Sequence, residues 1–174
     1  MNPRTTLYLG GARSGKSRMA EEAARRTGLA LRYIATAAPG DDEMAERIAH
    51  HRATREGLGW ETVEALYDLP EAIRAQSRTD TAVLVDCLTL WLTNIMLADR
   101  DVAIVREALL AAIEAAPGPV RLVSNEVGLG LVPETPLGRA FRDEQGRLNR
   151  KIAALVPNVV FVAAGLPLVM KGSI

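Results

Sequence analysis

The chain has 174 residues, 48% of them hydrophobic and 24% charged. That composition suits one globular domain, residues 1–174, large enough to fold without a disulfide or metal staple. Lys and Arg together number 21, as do Asp and Glu, so the zero net charge gives no electrostatic reason to expect nucleic acid. The single cysteine, Cys87, fits a reducing compartment. The most apolar stretch, residues 159–170, covers about half a membrane span and contains Gly165 and Pro167. A cytoplasmic protein without an obligate membrane anchor is the expectation.

Strand-like and helix-like segments alternate. Residues 6–10 form a short apolar run ending in glycines, and residues 16–27 carry Met19, Ala20, Ala23 and Ala24 at helical spacing before Gly28. Residues 29–35 read as a strand, 41–56 as a helix closed by Gly57, 60–63 as a weak strand and 70–76 as a short helix. The run AVLVD at 82–86 is continuously apolar up to its final acid, as in a strand covered on both faces. Helices follow at 88–97 and 102–115, then buried strands at 120–124 and 159–164 with a helix at 137–155 between them. The alternation predicts an α/β fold, a three-layer sandwich with a mainly parallel central sheet. Ligands in such sheets gather at the carboxyl ends of the strands.

One of those ends carries Gly10-Gly11-Ala12-Arg13-Ser14-Gly15-Lys16-Ser17, which matches the phosphate-loop pattern G-x-x-x-x-G-K-[ST] between a strand and a helix. The glycines let backbone N–H groups turn inward around a phosphate, and the following helix offers its positive end. Lys16 is placed to reach the β- and γ-phosphates and the Ser17 hydroxyl to hold Mg²⁺. In phosphate-loop proteins an acid at the position of Asp86 supports the same ion; an Asp there also suits capping of the helix at 88–97.

Both histidines, His50 and His51, fall in the helix expected at 41–56. At about 100° per residue, Glu43, Arg47, His50 and Thr54 share a polar face. Met44, Ile48, His51 and Arg55 lie on the core side, which leaves His50 the freer imidazole. The residues alone leave His50 open between a plain surface histidine and an acid, base or nucleophile. Asn125 and Glu126 leave a buried strand toward the ligand crevice. Arg139, Arg142, Arg147, Arg150 and Lys151 suit either a substrate phosphate or a solvated helix face. Trp60 and Trp91 suit either ring stacking or burial.

Five segments, in order, give the chain a family resemblance: GGARSGKSRMAE, YIAT followed by DDEMAERIAHHR, VLVDCLTLWLTN, SNEVGLGLVPETPLGRAFRDEQGRLNR and GLPLVMKG. Together they resemble the bifunctional cobinamide kinase / cobinamide-phosphate guanylyltransferases of cobalamin biosynthesis over nearly the whole length. The resemblance implies that ATP or GTP phosphorylates the aminopropanol hydroxyl of adenosylcobinamide. It further implies that GTP then guanylylates a histidine, whose GMP passes to the cobinamide phosphate. The family's guanylylated histidine falls on His50. The guanine-nucleotide site is implied to include Ile34, Ala35 and Thr36, then His51, Arg52, Ala53 and Thr54, and Glu64. The sequence departs from relatives in the turn HHRATREG, where others carry more Gly and Pro, and at Asp86, where some carry Glu. A homotrimer is also implied. The competing expectations are a monofunctional small-molecule kinase, with the same loop and no use of His50, and a GTP-binding regulatory module without turnover.

Overall fold

The computed structural model describes residues 1–37, 46, 49, 53 and 55–173. The elements in chain order are β1 (Thr6–Gly10), α1 (Lys16–Arg25), β2 (Ala30–Ala35), β3 (Trp60–Glu64), α2 (Leu69–Gln76), β4 (Thr81–Asp86), α3 (Leu88–Leu97), α4 (Val102–Ala115), β5 (Val120–Asn125), α5 (Pro136–Leu155), β6 (Asn158–Ala163) and β7 (Leu166–Lys171). Between β2 and β3, the described positions Glu46, Ala49, Ala53 and Arg55 have helical backbone.

The strands form one seven-stranded sheet in the order β3-β2-β4-β5-β1-β6-β7. Every pairing is parallel except β6 with β7. β1 is buried along its whole length, and β4 and β5 are buried up to their last residue, which accounts for the apolar runs of β1 and β4. Alternate side chains serve opposite faces. Leu7, Leu9, Val83, Val85 and Leu122 join the larger core with Leu92, Ile113 and Ile152 of α3, α4 and α5. Tyr8, Tyr33, Leu84, Val123 and Val160 point the other way, toward Ala20 of α1.

Two helix starts are capped by side chains, which fixes where the chain turns. The Asp101 carboxylate accepts from the Ala103 and Ile104 amides, and the Thr135 hydroxyl accepts from the Gly138 amide. Each such cap contributes about 1 kcal/mol.

Outside the helix expected at 41–56, most of which lies beyond the described residues, the expected elements are present with shifts of one or two residues at their ends, and one strand was missed. β7 returns antiparallel along β6 after a two-residue turn in which Ala164 (φ 51°) and Gly165 (φ 79°) both have positive φ. Pro167 reads as a breaker in the sequence, but on an edge strand no central ladder needs its missing N–H.

Candidate active site

The phosphate loop joins the end of β1 to α1 and is fastened on two sides. The Glu126 amide donates to the Gly10 carbonyl at 3.1 Å, and the Gly165 amide donates to the Ser14 carbonyl at 2.9 Å. Gly10 has no room for a side chain, because a Cβ there would lie 2.3 Å from the Val162 carbonyl oxygen. Gly15 adopts φ 94° and passes close to Gly165. The Lys16 ammonium is 7% exposed and donates to the Gly11 carbonyl at 2.9 Å, folded back across the loop it would leave to meet a phosphate. The Ser14 hydroxyl is buried within the loop with no hydrogen-bond partner, an unmet polar atom of the kind a phosphate oxygen satisfies.

β5 lies between the strand of the loop and the strand of Asp86, with Gly10 opposite Asn125. Asp86 ends β4, half-buried, and Ser17 is the second residue of α1, half-buried. A hydroxyl and a carboxylate are hard oxygen donors of the type Mg²⁺ takes alongside nucleotide phosphates. Among the described residues no group of three or more His, Cys, Asp or Glu is placed to hold a metal by itself. Burial above all, and then the charge of Asp86, drives the Tyr33 pKa far upward, so its hydroxyl stays protonated. Burial first, and then Asp86, pushes the Cys87 thiol up to about 11, which keeps it a neutral packed group.

Glu21, one turn beyond Ser17, feels Asp86 as well. Its pKa is raised, with burial as the largest cause and Arg55 opposing it. The two partners stand 3.6 Å apart, so the ion pair compensates the buried carboxylate only in part. Arg55, 5% exposed, places its guanidinium over Tyr33, whose ring also meets Trp60 edge-on. The cluster Glu21–Tyr33–Arg55 was not foreseen, because its members come from three separate segments. The one available signal was the spacing of Ser17 and Glu21, four apart on one helix face.

Of the expected nucleotide residues, Ile34, Ala35 and Thr36 lie at the carboxyl end of β2. Thr36 is buried; its hydroxyl donates to the Cys87 carbonyl at 2.7 Å and accepts from the Cys87 amide at 2.8 Å. The Asn94 amide group holds the Thr36 and Leu66 carbonyls. These bonds tie the ends of β2 and β4 together. Ala53 is exposed on helical backbone, and Glu64 ends the edge strand β3, also exposed. His50, His51, Arg52 and Thr54 lie outside the described residues.

Around Asn125, the Thr89 hydroxyl accepts from the Asn125 amide at 2.8 Å and the Asn149 side chain donates to the Asn125 carbonyl at 3.0 Å. Behind it, Ser124, Gln145 and Asn149 form a buried hydrogen-bonded trio. The basic run of α5 divides. Arg142, Arg147 and Arg150 line one cleft, whereas Lys151 pairs with Glu107 and Arg139 bonds the Pro133 and Glu134 carbonyls. Trp91 is fully buried with its indole N–H on the Tyr67 carbonyl, which settles it as core. Among the described residues no helix is long and apolar enough to cross a membrane.

Residues 6–170 match the family model described as cobinamide kinase / cobinamide phosphate guanyltransferase. The chain is 50% identical over 168 residues to the bifunctional adenosylcobalamin biosynthesis protein CobP of Pseudomonas aeruginosa, covering 95% of this chain and 96% of that one. It is 41% identical over 180 residues to the bifunctional adenosylcobalamin biosynthesis protein CobU of Escherichia coli K12, covering 95% and 98%. Among solved structures, the RadB recombinase aligns with a TM-score of 0.52 at 12% identity, over 91% of this chain and 74% of that one. The type III secretion ATPase EscN aligns with a TM-score of 0.56 at 13% identity, over 99% of this chain and 48% of that one. Those two likenesses are of fold alone.

Proposed function

This chain belongs to the cobinamide kinase / cobinamide phosphate guanyltransferase family, and we propose that it carries both activities, with His50 as the covalent carrier of GMP. The substrates are adenosylcobinamide, its phosphate, and ATP or GTP. The observation that carries the reading is the fastened phosphate loop with Lys16 and the unmet Ser14 hydroxyl, in a chain matched over nearly its whole length to bifunctional relatives.

In the kinase step the loop amides and Lys16 hold the β- and γ-phosphates while the aminopropanol hydroxyl attacks the γ-phosphorus. Positioning and charge neutralisation supply most of the acceleration. Ser17 and Asp86 would hold Mg²⁺, which neutralises phosphate charge when bound. In the guanylyl step a neutral His50 imidazole nitrogen attacks the α-phosphorus of GTP. The bond from the α-phosphorus to the bridging oxygen breaks, pyrophosphate leaves with that electron pair, and the imidazole sheds its other N–H proton. The cobinamide phosphate oxygen then attacks the same phosphorus; the P–N bond breaks, its electron pair returns to nitrogen and the imidazole regains a proton. Ile34, Ala35, Thr36, His51, Arg52, Ala53, Thr54 and Glu64 complete the guanine-nucleotide site in this reading.

The protein works in the cytoplasm as a homo-oligomer, a trimer by its family resemblance. The fully exposed edge strand β7, with Leu166, Leu168 and Met170 more than half exposed, supports an assembly that covers it.

Intact-protein mass spectrometry after incubation with GTP and Mg²⁺ tests the central point. Wild type gains one GMP and His50→Asn gains none while keeping kinase activity. Phosphorylation of cobinamide without any adduct in wild type would instead favour the monofunctional kinase.

A further inference from the structure

We propose that the arginine-lined cleft between α5 and the loop after β5 binds the phosphomonoester of the GMP acceptor. This rests on the guanylyl-transfer reading and adds the subsite that distinguishes the second substrate from the first. The cleft is an open depression of about 540 Å³ lined by Gly128, Arg142, Asp143, Gly146, Arg147 and Arg150. Three guanidiniums against one carboxylate make it an anion site. Arg142 braces the roof, donating to the Gly128 carbonyl at 2.8 Å. Arg147 pairs with Glu144, but Glu144 is shared with the Arg106 guanidinium at 2.7 Å, so the negative charge is divided. Arg150 is exposed and has no carboxylate partner among the described residues.

Gly146 adds an independent observation. A glycine within a helix costs about 1 kcal/mol relative to alanine. Packing does not require it here, because a Cβ at Gly146 would meet nothing within 4 Å. Its missing side chain leaves the floor of the cleft open.

Position makes the assignment specific. Gly128 lies two residues past Glu126, whose amide holds the Gly10 carbonyl, and the Gly128 amide donates to the Glu126 carboxylate. The cleft therefore adjoins the phosphate loop on its β5 side, where an acceptor has to sit to receive a group from a bound nucleotide. The same loop continues into Leu129 and Leu131, 83% and 96% exposed, an apolar shelf suited to a large body behind the phosphate. Guanidinium forks match phosphate oxygens in bidentate geometry.

Calorimetric titration of wild type with adenosylcobinamide phosphate and with adenosylcobinamide tests the assignment directly. Wild type should bind the phosphorylated form more tightly, on the order of tenfold to a hundredfold for a charge-assisted contact. Arg150→Gln, and Arg147→Gln combined with it, should lose that preference while binding the unphosphorylated form as before, and Arg150→Lys should recover part of it. In turnover the same variants should raise the KM for the acceptor phosphate, leave kcat nearly unchanged and form the GMP adduct at the wild-type rate. An intact preference in the variants overturns the proposal, as does slowed adduct formation from GTP, which would give the arginines to the nucleotide. Failure of wild type to form any adduct would sink the guanylyl-transfer reading alone, leaving the binding comparison to decide the cleft.

Discussion

The guanidinium carbon of Arg55 sits 3.4 Å from the ring centroid of Tyr33, whose hydroxyl feels the charge of Asp86. A residue five positions after His50 is thereby seated on a tyrosine that feels the carboxylate expected beside the phosphate loop. A desolvated contact of this kind contributes about 2 kcal/mol. Arg55→Ala should lower stability by roughly 1–3 kcal/mol, because Glu21 also loses its partner. It should slow GMP-adduct formation more than cobinamide phosphorylation. Arg55→Lys should restore stability only in part, lacking the planar cation. Denaturant unfolding and the two separate assays check this, and an equal loss of both activities would count against it.

Glu21 offers a pH signature. Its folded pKa is raised above the ordinary 4.5 by burial, so the native state holds a proton more tightly than the unfolded chain. The stability linked to that proton is fully present below the ordinary glutamate pKa and is lost as pH rises through the raised folded value. Glu21→Gln removes the titration. Wild type should therefore lose ground to Glu21→Gln between acid and neutral pH, as read from urea midpoints over a pH series. A constant difference, or one of opposite slope, would show that the Arg55 pairing outweighs burial.

Filling the helix glycine separates stability from recognition. Gly146→Ala should stabilise the fold by about 0.5–1 kcal/mol, since nothing obstructs the new methyl. It should also raise the KM for the phosphorylated acceptor by narrowing the cleft. A higher Tm with unaltered acceptor kinetics would detach Gly146 from the subsite.

Asn149 holds the Asn125 carbonyl from behind and shares the buried trio with Ser124 and Gln145. Asn149→Ala leaves buried polar groups unmet and should cost roughly 1–3 kcal/mol. Hydrogen exchange should speed at the Asn125 and Glu126 amides, which report on the β5 side of the phosphate loop.

On the open sheet edge, Leu168 is 63% exposed. Leu168→Arg should lower the mass seen by sedimentation if copies of the chain cover β7, with the monomer fold unchanged by circular dichroism. A wild type that is already monomeric would remove the homo-oligomer from the reading.

Much of this structure was legible because burial on both faces writes itself as apolar runs, as in β1 and β4, and because the phosphate loop has a fixed spacing. β7 was hidden by Gly165 and Pro167, whose turn and edge positions make them compatible with a strand after all. The arginines of α5 read as a single basic run. Only the folded helix separates Arg142, Arg147 and Arg150, facing a cleft, from Lys151 on Glu107 and Arg139 on the preceding turn. The Glu21–Tyr33–Arg55 contact left no pattern at all, since tertiary neighbours from separate segments have no common period. The expected helix at 41–56 was placed correctly at its end, where Arg55 is buried on the side assigned to the core.

The bonds that fasten the phosphate loop also set the thermodynamics of filling it. With Gly10 held by Glu126, Ser14 held by Gly165 and Lys16 folded onto Gly11, little backbone freedom is left for a nucleotide to remove. Binding then consists largely of exchanging one partner for another, the Lys16 ammonium trading a carbonyl for a phosphate oxygen. A preformed cradle of this sort takes its affinity from avoiding an entropic loss, and the calorimetric signature is a small ordering penalty on nucleotide binding.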